Sequence, residues 1–158
     1  MSQRIKIFID GAARGNPGPA AIGVVIRDEA DKVIDELSKH IGIATNNVAE
    51  YTALIFALNQ AREIGAQELV INTDSELLVK QLGGEYRVKN SNLKELHSKA
   101  MYIVQGFSEV KINHIPREQN KEADKLANKA LDELKFKKKV TNKSFVLKAR
   151  TDFPKELF

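Results

Sequence analysis

The sequence contains no cysteine, which excludes a disulfide framework and any Cys-based zinc site. No apolar run approaches the length of a signal or membrane-spanning helix, so the expectation is a soluble, cytoplasmic protein without a membrane partner; it is also expected to be a monomer. Histidine is scarce, with three scattered residues. A basic excess is also missing from most of the chain. The formal net charge is +4, yet residues 1–134 hold 17 Lys and Arg against 19 Asp and Glu, a balance of −2. Residues 135–158 hold 8 against 2, a balance of +6, so an argument for polyanion binding from overall charge rests on that stretch alone. The glycine-rich segment after residue 10 lacks Gly-Lys-Ser/Thr and a helix behind it, which excludes a P-loop, and its glycines miss the dinucleotide spacing. Asp10-Gly11-Ala12 also lacks the second acid, two residues on, of a haloacid-dehalogenase-type aspartyl-phosphate enzyme.

What is present is the length for one domain with a real core, and a pattern that alternates between strand and helix. Ile5, Ile7 and Ile9 give residues 5–9 one apolar face, and Asp10 stands where that strand is expected to run out into a turn rich in Gly and Pro. Residues 20–27 and 33–43 read as two further strands, making an antiparallel meander with the first. A helix is predicted from Asn46 or Asn47 as N-cap to Ile64, stopped by Gly65. Residues 69–73 read as a buried strand reached by a right-handed crossover, and residues 76–82 as a short helix capped by Asp74-Ser75. A helix over 92–105, a strand over 107–115 and a closing helix from Gln119 to about Leu134 complete a mixed five-stranded α/β sheet covered by helices.

Four acids occupy awkward positions in this scheme. Counting 100° per residue places Glu50 within the apolar stripe of Leu54, Ala57, Leu58, Ala61 and Ile64, where an unpaired carboxylate costs several kcal/mol. The bland alternative is a first-turn acid favoured by the helix dipole. Asp74 ends the fourth strand as Asp10 ends the first, so parallel neighbours would present both at one carboxyl edge, where open α/β sheets place ligands. Capping of the next helix is the competing account of Asp74. Asp124 borders the stripe of Ala123, Ala127, Ala130 and Leu134, a position where most acids are simply solvated. Four carboxylates without cysteine make the ligand set of a hard cation such as Mg²⁺.

Four blocks of the chain resemble the signature blocks of the ribonuclease HI family, in the family's order. They are Asp10-Gly-Ala-Ala-Arg-Gly-Asn-Pro-Gly-Pro, Thr45-Asn-Asn-Val-Ala-Glu50-Tyr, Thr73-Asp74-Ser75, and His114-Ile-Pro-Arg-Glu-Gln-Asn-Lys-Glu-Ala-Asp124. The resemblance spans about residues 4–134. It implies the ribonuclease H-like fold, with three antiparallel strands followed by two parallel ones. It also implies an endonuclease that hydrolyses the RNA strand of RNA–DNA hybrids with two Mg²⁺ ions, Mn²⁺ being able to substitute, and leaves 5′-phosphate and 3′-hydroxyl ends. On that footing Asp10 would bridge both ions, Asp124 would join it on the nucleophile side, and Glu50 and Asp74 would hold the leaving-group side.

By the same resemblance Asn16, Thr45, Asn46 and Asn47, with Gly11 and Arg14 in the first block, would meet the hybrid, the amides and hydroxyls reading 2′-hydroxyl groups. Arginine does not deprotonate, so a proton-transfer role would fall to His114 and a phosphate-holding role to Arg117. A plain strand-end histidine is the other reading of His114. Glu76 replaces the Gln common in the family after the third block. Residues 83–90 are too short for the basic protrusion of some members. The chain is expected to divide into a catalytic domain, 1–134, and a basic extension, 135–158. Within the extension, Lys137, Lys138, Lys139 and Lys143 would take over phosphate binding; a solvated tail, or a strand over 144–147 packed on the body, is the alternative. A hybrid-binding module without catalysis and a same-fold nuclease acting on DNA are the competing functions.

Overall fold

The computed structural model describes residues 3–143, with side chains as far as Leu134. Strands β1 (Arg4–Ala13), β2 (Gly18–Arg27) and β3 (Val33–Ala44) form the antiparallel meander. Helix α1 (Asn46–Ile64) crosses to β4 (Glu68–Thr73), which pairs parallel with β1. Helices α2 (Glu76–Leu82) and α3 (Ser91–Val104) lead to β5 (Glu109–His114), parallel to β4. A single 3₁₀ turn, Arg117–Gln119, precedes helix α4 (Lys121–Lys143). The sheet order is β3-β2-β1-β4-β5, so β1 is central and is the strand that pairs both ways.

The two faces of β1 have different work. Ile5, Ile7 and Ile9 are fully buried and join Ile22, Val24 and Ile26 of β2 under the Ala53, Leu54, Ala57, Leu58 and Ala61 stripe of α1. Burying each such side chain contributes ~1.5–3 kcal/mol. The other face lies under α4, where Ala21 meets Ala130 and Leu131. It carries Asp10, in register with Gly23.

Several boundaries differ from the sequence expectation, each for a physical reason. β1 does not end at Asp10: residues 10–13 stay paired with residues 20–23 of β2, and only the parallel pairing to β4 stops, at Ile9 and Thr73. Gly11 therefore serves packing instead of a turn. A Cβ on it would overlap the backbone of Ala49 and Glu50 in α1. The N-cap of α1 is Thr45, whose Oγ1 accepts from the Val48 N–H at 3.2 Å, because the Asn46 side chain is used elsewhere. Gly65 ends that helix at φ 84°, as expected. β5 is shorter than 107–115. α4 starts after the 3₁₀ turn and continues past Leu134 to Lys143, a segment without a helix breaker. The possible strand over 144–147 lies outside the described residues.

Candidate active site

The carboxyl ends of β1 and β4 open into a cleft of about 540 Å³. Asp10 and Asp74 each follow the last pair of the β1–β4 ladder, Ile9 with Thr73, and so emerge side by side. Ser75, not Asp74, caps α2, its Oγ accepting from the Leu78 N–H at 3.2 Å. That leaves the Asp74 carboxylate without a capping task. Glu50 lies one turn and more into α1, beyond the first turn, and is 8% exposed. Its Oε2 accepts from the Gly11 N–H at 3.3 Å, which the bare Gly11 backbone permits.

Asp10, Glu50 and Asp74 each offer a carboxylate oxygen within 4.8 Å of the others. Asp124, on α4, lines the same cleft. Burial, then the charges of Asp74 and Asp124, push Asp10 up to about 8, with Arg117 opposing. Glu50 rises well above the ordinary carboxylate range, first through burial and then through Asp10 and Asp74. Asp74 is also raised, by burial foremost and with Asp124 adding to it, against the pull of Arg117. Buried and half-buried carboxylates opposed by Arg117 are under-neutralised, and the donors are all oxygen. Such a set suits a hard divalent cation.

Two asparagines fix the rim. Asn46 Oδ1 accepts from the Ala13 N–H at 2.9 Å, and Asn16 Oδ1 accepts from the Asn46 N–H at 3.0 Å. Each amide is thereby turned with its NH₂ group away from the protein backbone it grips. Arg14, Asn46, Asn47, His114 and Arg117 line the cleft with the acids; Asn16 and Thr45 stand at its edge through the contacts given above. His114 is exposed at the end of β5. The side chains of Lys137, Lys138, Lys139 and Lys143 lie outside the described residues, although the backbone there is part of α4.

Sequence reading missed Asn120. It is 1% exposed and its Nδ2 donates to the Ile9 carbonyl at 2.8 Å, tying the start of α4 to β1 one residue before Asp10. Its only signal was an Asn just ahead of a helix, which reads as a cap, and its carbonyl does accept from the Asp124 N–H.

A family model described as reverse transcriptase-like matches residues 8–130. The crystal structure of RNase H1 from Halobacterium salinarum superposes with a TM-score of 0.81 at 42% identity, covering 82% of this chain and 98% of that one. LC11-RNase H1, solved in complex with an RNA/DNA hybrid, gives 0.79 at 47% identity over 82% and 98%. The chain belongs to the ribonuclease HI family. Its ribonuclease HI-like part is also 41% identical to the N-terminal RNase H domain of a Mycobacterium tuberculosis protein, with a TM-score of 0.79 over 82% of this chain and 99% of that domain. Against full-length relatives the match is partial: it spans 65% of the halobacterial ribonuclease HI and 36% of the bifunctional mycobacterial protein. Among the described residues no helix is long and apolar enough to cross a membrane.

Proposed function

We propose that this chain is a divalent-metal-dependent endoribonuclease that hydrolyses the RNA strand of RNA–DNA hybrids, leaving 5′-phosphate and 3′-hydroxyl ends. The observation that carries the reading is the convergence of Asp10 and Glu50, both buried, and the half-buried Asp74 on one point of an open cleft, each carboxylate within 4.8 Å of the others. Asp10 and Asp124 would hold one Mg²⁺ and Asp10, Glu50 and Asp74 a second, with Mn²⁺ able to replace either. Two such ions would supply activation of a water and stabilisation of the leaving 3′-oxygen in an in-line displacement at phosphorus.

The protein's own groups do the rest. Gly11 N–H holds the Glu50 carboxylate, and Arg117 offers a fixed positive charge facing Asp10, Glu50 and Asp74, suited to a scissile phosphate. His114, exposed at the cleft edge, is the group able to carry a proton between site and solvent. Asn16 and Asn46, their carbonyl ends occupied, present amide donors to acceptors of the hybrid such as 2′-oxygens, with Asn47, Thr45, Gly11 and Arg14 completing the contact. Residues 135–158 act as a basic extension of the 1–134 domain, with Lys137, Lys138, Lys139 and Lys143 on backbone phosphates. The protein works as a cytoplasmic monomer.

One assay tests the core of this. Labelled RNA–DNA hybrid, duplex DNA and duplex RNA are each incubated with Mg²⁺ and wild-type or Asp10→Asn protein. Cleavage of only the hybrid's RNA strand, lost in the variant, is the expected result. Cutting of duplex DNA would replace it with a DNA nuclease, and binding without cutting with a silent hybrid-binding module.

A further inference from the structure

Asp124, Asn128 and Asp132 recur every four residues along α4 and so share one helix face, towards the β1–β2 turn that carries Arg14. Their contacts form a chain. Asn128 Nδ2 donates to Asp124 Oδ1 at 3.2 Å and to the Asp124 carbonyl at 3.0 Å. Asn128 Oδ1 accepts from Arg14 Nη2 at 3.3 Å, and the same Nη2 pairs with Asp132 Oδ1 at 2.7 Å. Arg14 and Asn128 both line the cleft.

We propose that Asn128 is a positioning residue for Asp124, with its amide held in the working orientation by Arg14. A guanidinium only donates, so Arg14 fixes Oδ1 of Asn128 towards itself and leaves Nδ2 for the Asp124 carboxylate. That hydrogen bond occupies Oδ1 of Asp124 and stops the carboxylate from rotating, so its other oxygen stays free for the Asp10 side of the cleft. A neutral amide suits this task. It orients the carboxylate without cancelling its charge, whereas an Arg or Lys in its place would compete with a cation for it. The inference rests on Asp124 belonging to the ion-binding set and names the residue that makes it competent.

Mn²⁺ binding to the metal-free full-length chain, measured by calorimetry, separates the two ideas. Asp124→Asn serves as the reference variant and is expected to weaken binding. Asn128→Ala is expected to weaken it about 10-fold, the order seen when an outer partner of a metal ligand is removed. Asn128→Leu keeps most of the volume but loses both the donor and the Arg14 partner without adding charge, so it should be at least as weak. Under saturating Mg²⁺ both Asn128 variants should lose kcat while KM for the hybrid changes less than ~2-fold. Two Asn128 variants that bind Mn²⁺ like the wild type, beside a weakened Asp124→Asn, would overturn the positioning role and leave the metal reading standing. An Asp124→Asn protein with an unchanged isotherm would remove Asp124 from the ion set and the proposal with it.

Discussion

In the metal-free protein Asp10 keeps its proton up to about pH 8, whereas in the unfolded chain it gives it up near 3.8. Between those values the native state binds the extra proton, so this residue's contribution to stability falls as pH rises from about 4 to 8 and levels off above. Asp10→Asn removes that penalty. Its melting temperature without metal should match the wild type's near pH 4 and exceed it at pH 8 by at least ~2–4 °C, the shift for about 1 kcal/mol in a chain of this size. Calorimetry across that range checks the sign. The same proton competes with a cation, so Mg²⁺ affinity of the wild type should climb with pH up to about 8 and be accompanied by proton release, measurable in buffers of different ionisation enthalpy. At this scale Glu50 was legible in the sequence because it broke a rule of its element, sitting in an apolar stripe; Asp10 and Asp74 were marked only by standing where two expectedly parallel strands would stop pairing, and Asp124 read as an ordinary boundary acid outside its family block. Asn120 and Asn128 broke none. An asparagine before or on a helix is ordinary, and only contact with Ile9 and Asp124 gives these two a task.

At the level of elements, two glycines set how closely the acids approach. A Cβ on Gly11 would meet the backbone of Ala49 and Glu50, and one on Gly23 would meet the Ala123 carbonyl and the Ala127 nitrogen. Each helix thus lies nearly in backbone contact with the sheet, next to the acid it carries. Gly11→Ala and Gly23→Ala should each cost ~1–3 kcal/mol in urea unfolding, the range for forced overpacking. Both should also lose far more activity than their remaining folded fraction explains, since α1 or α4 must shift outward. Glycine after Asp10 reads from sequence as a turn, because a strand glycine and a turn glycine look alike until the opposing helix is placed. The periodic elements themselves were legible, as in α1, β4 and α2, where pattern and stop signals agree with the structure. Helix caps and the length of α4 were less so, for Thr45, Asn46 and Asn47 are all good caps and lysine-rich sequence carries no stop.

Across the whole molecule, charge is segregated: the body to residue 134 is at −2 and the remainder at +6. A hybrid is a dense polyanion, so the grip must depend on salt. Neutralising Lys137, Lys138 and Lys139 together to Gln should flatten the slope of log K against log salt by ~2–3, at about 0.7–0.9 per lost phosphate contact. An unchanged slope would leave those lysines without a role in binding. The substitution is preferable to truncation at 134, which would cut α4 in mid-helix.

Because α4 runs unbroken from Lys121 to Lys143, it works as a yardstick as well as a support. From Asp124 to Lys138 is 14 positions, about 21 Å at 1.5 Å per residue, or roughly six base-pair steps of duplex at 3.4 Å each. If the proposed lysine contacts hold, an oligonucleotide that stops short of that distance from the scissile bond is expected to bind with a shallower salt dependence than one that passes it.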